Sequence, residues 1–265
     1  MAYTTINDPS AQFQIALYTG SSSSVSPTFT GNANLQPDMM WIKSRSATTN
    51  NNIYDSSRGS TERLYPNLNS QVDTVSGMAF NSDGFTTGTN SVGDINVDGS
   101  TYVGWGWKAN GGTTASNSSG SITSTVQANT TAGFSIVTYT GNGSSGATVG
   151  HGLGTVPDTI ILKCRNATEN WFVNTPIAGG VGYMMLNQTN ADSGANSSVW
   201  NSTAPTSTLF TLGNSGGVNG NNNTYVAYCF ANTKGFSSFG SYSGSGGDAG
   251  PFVFLGFKPA FVMIK

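Results

Sequence analysis

The sequence predicts an all-β chain built from tandem antiparallel β-sandwich units, jelly-roll or lectin-like in outline, with two units complete and a third begun. Three observations carry this expectation. The same strand-like segments recur in the same order along the chain. The residue content is that of strands joined by tight turns, and no segment has a convincing helical period. Only 8% of the residues are charged and 35 are Gly, while 14 Phe, 10 Tyr and 5 Trp require burial, which excludes disorder for most of the chain.

The repeat has three elements. Phe13-Gln-Ile-Ala-Leu-Tyr18-Thr-Gly20 matches Phe134-Ser-Ile-Val-Thr-Tyr139-Thr-Gly141, and Phe239-Gly-Ser-Tyr242-Ser-Gly244 is a third, shorter copy. A strand led in by proline follows: Pro37-Asp38 through Arg45, Pro157-Asp158 through Arg165, and Pro259-Ala260 through Lys265. Proline fixes the backbone where the strand begins, an apolar run continues it, and Lys and Arg are expected to mark its exit to water. Tyr102-Val-Gly-Trp105-Gly-Trp107 and Tyr225-Val-Ala-Tyr228-Cys-Phe230 then close each complete unit. Asp83-Gly84, Asp98-Gly99 and Asn219-Gly220 read as hairpin turns, since such dipeptides accept positive φ.

These elements divide the chain into an N-terminal arm (1–11), a first unit (12–111), a second unit (112–235, with 112–120 as a Gly/Ser linker) and the start of a third (236–265). A sandwich strand cannot bury its faces alone, so the chain in hand is expected to be the front part of a longer one.

Charge and composition narrow the function classes. A net charge of −2 without a basic run offers no counterion-releasing patch, so no nucleic-acid partner is expected. The opening residues lack a basic and apolar leader, and no stretch approaches the ~18 apolar residues of a membrane span. No membrane partner is expected, and assembly is placed in the cytoplasm. Cys164 and Cys229 are too few for a disulfide scaffold and read as buried free thiols.

Several motifs resemble chemistry. Gly213-Asn-Ser215-Gly-Gly217, with His151 and Asp192 upstream, imitates a serine-protease constellation, but the first unit has Gly88-Thr-Asn-Ser-Val-Gly93 in that place, so turns explain it better. Asp94, Asn96 and Asp98 copy the first half of a calcium loop; the twelfth position is Trp105 and not Glu, which favours a hairpin over a metal. Gly141-Asn-Gly143-Ser-Ser-Gly146 enters no helix that could hold a pyrophosphate. Asp55, Arg58, Glu62 and Arg63 form the one cluster of opposite charges, read as a solvated or intra-loop ion pair. Trp105 and Trp107 are expected in the core by the period of two, and Trp171 and Trp200, beside turns, are the candidates for a ligand surface. No catalytic residue, cofactor or enzymatic activity is expected.

Met1-Ala-Tyr-Thr-Thr-Ile-Asn-Asp-Pro9, Asp38-Met-Met-Trp-Ile-Lys-Ser-Arg45, Tyr54-Asp-Ser-Ser-Arg-Gly59, Phe80-Asn-Ser-Asp-Gly-Phe85 and Gly150-His-Gly-Leu-Gly154 resemble a repeat family of virion proteins in tailed, mostly marine, phages. The resemblance covers nearly the whole chain and implies a virion structural protein such as the particle-attached part of a tail fibre. It further implies partners among other virion proteins, a homo-oligomer with a trimer favoured, and contact with a host-surface glycan. A capsid decoration or head-fibre protein, a calcium-dependent lectin and a polysaccharide depolymerase are the alternatives.

Overall fold

The computed structural model describes residues 4–75, 77–89, 94–176, 179–248 and 250–265. The strands of the first half are β1 (Phe13–Thr19), β2 (Met39–Ser44), β3 (Asn52–Asp55), β4 (Gly59–Leu64), β5 (Asp73–Thr74), β6 (Ala79–Phe80), β7 (Phe85–Thr86) and β8 (Thr101–Trp107). Those of the second are β9 (Ala115–Asn117), β10 (Ser124–Asn129), β11 (Phe134–Thr140), β12 (Ala147–Gly150), β13 (Thr159–Cys164), β14 (Trp171–Asn174), β15 (Met184–Met185), β16 (Leu209–Leu212) and β17 (Thr224–Phe230). Two single-turn helices, α1 (Ser197–Trp200) and α2 (Gly216–Asn219), interrupt them. The all-β antiparallel class therefore stands, and among the described residues no helix is long and apolar enough to cross a membrane.

Each half builds one large antiparallel sheet, and the two sheets repeat one another. The first runs β1-β8-β2-β3-β4-β5 and the second β15-β14-β13-β17-β11-β10-β9. In both, the closing strand lies between the first strand and the proline-led strand. The registers agree residue for residue. Phe13 faces Trp107 and Tyr18 faces Tyr102 as Phe134 faces Phe230 and Tyr139 faces Tyr225, while Trp41 faces Trp105 as Ile161 faces Tyr228. Part of the 112–120 joint is not a free linker: β9 pairs with β10 at the sheet edge.

A sheet buries both faces only if something covers each of them. One face of the first sheet packs Met40, Ile42 and Tyr102 against Phe29 and Leu35 of its own outer loops and Phe85 of β7. The second sheet packs Ile160, Leu162, Tyr225 and Cys229 against an outer layer formed by the β12–β16 pair, Val199 and Trp200. The remaining faces meet each other. Met39, Ile53 and Leu64 share one core with Phe134, Ile136, Ile161, Trp171, Val226 and Tyr228. The sandwich is thus made between the halves as well as within each of them. That is why all of β13 and β14 is buried whereas β8 alternates buried and half-buried residues.

Among the described residues of 236–265, where the sequence suggests a third copy, no strand is named; an isolated bridge joins Thr233 to Ser237. This stretch lies against the first sheet through Phe261, whose ring sits 5.3 Å from Trp107, 5.5 Å from Trp105 and 6.3 Å from Phe13.

Candidate functional site

The structure separates the members of the protease-like constellation into unrelated local roles. His151 is fully buried, its Nε2 lies 3.1 Å from the Thr206 carbonyl and its Nδ1 accepts from the Leu153 amide, so burial holds its pKa below the ordinary value and the ring neutral. Ser215 caps α2 by accepting from the Gly217 amide. Asp192 accepts from the Gly194 amide within its own loop. Of the compared turn 88–93, residues 90–93 lie outside the described residues.

The calcium-like loop is a hydrogen-bonded clamp. Asn96 is fully buried; its Oδ1 accepts from the Ser21 amide at 2.9 Å and its Nδ2 donates to the Ser23 and Gly88 carbonyls. Asp94 takes positive φ, and Asp98 is exposed at the following turn. Among the described residues no group of three or more His, Cys, Asp or Glu side chains converges as metal ligands would. The second half repeats the clamp with Asn219: Oδ1 accepts from the Asn142 amide at 3.0 Å and Nδ2 donates to the Ser144 and Gly213 carbonyls. Gly220 accordingly has negative φ, unlike Gly84 and Gly99, so Asn219-Gly220 is not the hairpin turn its sequence suggests.

A stacked tyrosine pair stands beside each clamp. The Tyr18 and Tyr102 rings lie 5.0 Å apart at 16°, and Tyr139 and Tyr225 have the same separation and angle. Tyr18 donates to the Ile95 carbonyl and Tyr139 to that of Val218, while the hydroxyls of Tyr102 and Tyr225 accept from the Val97 and Gly220 amides. The sequence held one sign of this unit: Asn96 and Asn219 each precede the closing-strand tyrosine by the same spacing.

The charged cluster lies at the junction of the two halves, and most of it is removed from solvent. Arg58 Nε donates to Asp55 Oδ2 at 2.5 Å with both side chains fully buried, and Tyr228 of the other half donates to the same oxygen at 2.6 Å. Burial opposes the Arg58 charge, the Asp55 carboxylate more than offsets it, and the guanidinium pKa is raised. The pair is intra-loop, as expected, but it is not solvated. Glu62 bridges the halves by pairing with Arg165 at 2.6 Å, while Arg63 pairs with Asp73. Lys163, expected at an exit to water, is fully buried beneath the 65–72 loop and donates to the Glu169 and Asn69 carbonyls. Burial pulls its pKa down to about 8.

Trp171 and Trp200 provide no ligand surface. Trp171 has no exposed area and its Nε1 donates to the Tyr65 carbonyl across the junction; Trp200 is 1% exposed and packs edge-on to Phe210. Trp171 belongs to the core shared between the halves and Trp200 to the core between the second sheet and its outer layer. A shallow open groove of about 460 Å³ lies elsewhere, between the 110–119 segment and Val126, Ala128 and Gly152, and its rim is Asn and Ser. An apolar stretch is also exposed: Phe252 is 88% exposed, Phe254 79%, Val262 62% and Ile264 67%.

A family model described as a domain of unknown function, DUF7483, matches residues 8–265. The chain belongs to the DUF7483 family. No curated protein and no solved structure matches it. The match spans both sheets and runs on through residues 236–265, so the exposed apolar stretch is part of the DUF7483 domain. What the DUF7483 chain brings together is a doubled sheet locked by buried polar groups, with most of its exposed large apolar residues in the 242–264 segment.

Proposed function

We propose that the chain is a virion structural protein, in the particle-attached part of a tail fibre or comparable appendage, where it holds rigid β modules and presents their outer loops. The observation that carries this reading is the fusion of the two repeat sheets through one apolar core and a fully buried ion pair. Domains within a chain move relative to one another unless their interface is large and hydrophobic. An interface of this kind suits a spacer that must keep position. The loops differ between the repeats more than the paired strands do, and loops are the proper place for recognition on a fixed scaffold. The particle itself is inferred from the sequence segments that resemble phage virion proteins, as are a trimeric assembly, virion-protein partners and a glycan on the host surface.

Immunogold labelling and mass spectrometry of purified phage particles carrying the gene test this. Label confined to the tail, at a few dozen copies or fewer per particle, supports an appendage; hundreds of copies over the head indicate a capsid decoration protein. Particles free of label and of its peptides overturn the reading. Native mass spectrometry of the purified chain checks the trimer.

A further inference from the structure

The junction of the halves holds one more polar cluster, and its parts are those of an acyl transfer. Asp38 and Gln127 are fully buried and Ser56 is half-buried. Ser56 Oγ donates to Asp38 Oδ1 at 2.7 Å. Gln127, on β10 of the second half, turns its carboxamide toward the same hydroxyl. Its Nε2 lies 2.9 Å from Ser56 Oγ and 2.7 Å from Ser57 Oγ, and its Oε1 accepts from the Gly112 amide at 3.1 Å. A hydroxyl nucleophile, a carboxylate that can take its proton, a carboxamide and a backbone N–H on the carbonyl oxygen thus meet in one site largely shut off from water.

Part of this cluster is structural in both halves. Asp38 also accepts from the Ala109, Gly111 and Gly112 amides, which fastens the chain as it leaves β8. Asp158, its counterpart after Pro157, fastens the chain after β17 by accepting from the amide and the side chain of Asn232. Among the described residues Asp158 takes no hydroxyl. Ser56 and Gln127 are therefore additions at the junction, which fastening the chain does not explain.

We infer that Ser56 and Gln127 form an ester cross-link between the two halves, made by the folded chain itself. Ser56 Oγ attacks Gln127 Cδ while its proton passes to Asp38. The Oγ–Cδ bond forms, the Cδ–Nε2 bond breaks, and the nitrogen takes up that proton and leaves as ammonia, so no oxidant or co-reactant is required. The Gly112 N–H, already on Oε1, meets the negative charge that builds on that oxygen. Nε2 faces Ser56 before reaction, and a turn of the carboxamide about its last torsion, which is soft in glutamine, presents Cδ instead. The reaction runs once in the life of a chain, so a slow step suffices. The link joins positions 71 apart and, like a disulfide, constrains the unfolded chain. It rests on the junction geometry and is independent of the particle reading.

The test is intact mass and peptide mapping of the full 265-residue chain, purified folded, aged and then denatured. The expected result is a mass one ammonia below that of the sequence and a branched peptide joining Ser56 to Gln127, with mild alkali returning the linear chain. Ser56→Ala should keep the parent circular dichroism spectrum and the full sequence mass, and migrate more slowly than the cross-linked parent on a denaturing gel. Ser57→Ala should stay cross-linked. Succinimide formation at Asn110-Gly111, Asn142-Gly143 or Asn219-Gly220 removes the same mass without branching, so the peptide map decides. If Ser56→Ala does not fold, the parent's branched peptide decides alone. The inference is overturned by a folded chain that keeps its full sequence mass, by a mass loss mapped to any other site, Ser57 included, or by a branched peptide that survives in Ser56→Ala.

Discussion

At the residue scale the informative groups are buried amides and amines that a sequence pattern disguises. Asn96 sits where an ion loop would place a ligand, yet it ties three backbone groups together, and Asn219 does the same in the second half. A ligand and a clamp use the same short oxygen-bearing side chain before a turn, so only the second copy, which lacks the flanking carboxylates, tilts the reading. Either Asn→Ala substitution strands a buried amide and two carbonyls and should cost about 1–3 kcal/mol, read as a lower urea midpoint at unchanged slope. Lys163 supplies a second test. Its folded pKa of about 8 lies below the ordinary 10.5, so between those values the unfolded chain binds more protons than the folded one. Stability relative to a Lys163→Met variant should therefore be lowest and flat below pH 8 and rise steadily toward 10.5. Urea denaturation of both proteins across that range, in which shared tyrosine and cysteine titrations cancel, checks the sign; a difference that falls with pH contradicts it.

At the element scale the strands were legible because their period, lead-in prolines and repeated tyrosines are local signals. Their ends were less so. The lysine late in each proline-led strand looks like an exit to water, but a loop of the other half covers Lys163, and no local pattern reports that cover. The closing strands show how one element adapts to different surroundings. Gly106 pairs with Met40 and Cys229 with Ile160, so the two occupy equivalent places, with Ala227 answering Gly104. A Cβ at Gly106 would lie 2.7 Å from Phe29 Cζ and 3.0 Å from Met40 Sδ, so the first half has spent that space on its outer layer. The second half fills the space from the strand itself, and burial there pushes the Cys229 thiol up to about 12. Gly106→Cys, which merely copies the second repeat, should destabilise the chain by about 1–3 kcal/mol through overpacking, measurable as a drop in thermal midpoint.

At the scale of the whole molecule, the all-β class and its antiparallel strands were readable, but the partnership of the sheets was not. A run such as Ile160-Ile161-Leu162 says that both faces of a strand are buried without saying by what, since face-to-face packing joins residues far apart in the chain. The same difficulty hid Tyr228, whose hydroxyl completes an ion pair of the opposite half. The consequence is that the halves, which look separable at the 112–120 joint, are not. A fragment of residues 1–111 would expose Met39, Ile53 and Leu64 and leave the Asp55–Arg58 pair without its Tyr228 donor; a fragment of 112–235 would expose Phe134, Ile136 and Trp171. Burying a single large apolar side chain contributes about 1.5–3 kcal/mol, so losing three at once removes a large share of the ~5–15 kcal/mol that holds a whole domain. Neither fragment alone should show a cooperative thermal transition or dispersed amide resonances, whereas the full chain should unfold its two sheets in one step by circular dichroism and tryptophan fluorescence alike. Mixing the fragments should restore dispersion in a one-to-one complex, and replacing Ile53 or Ile136 by Asp in either should prevent it.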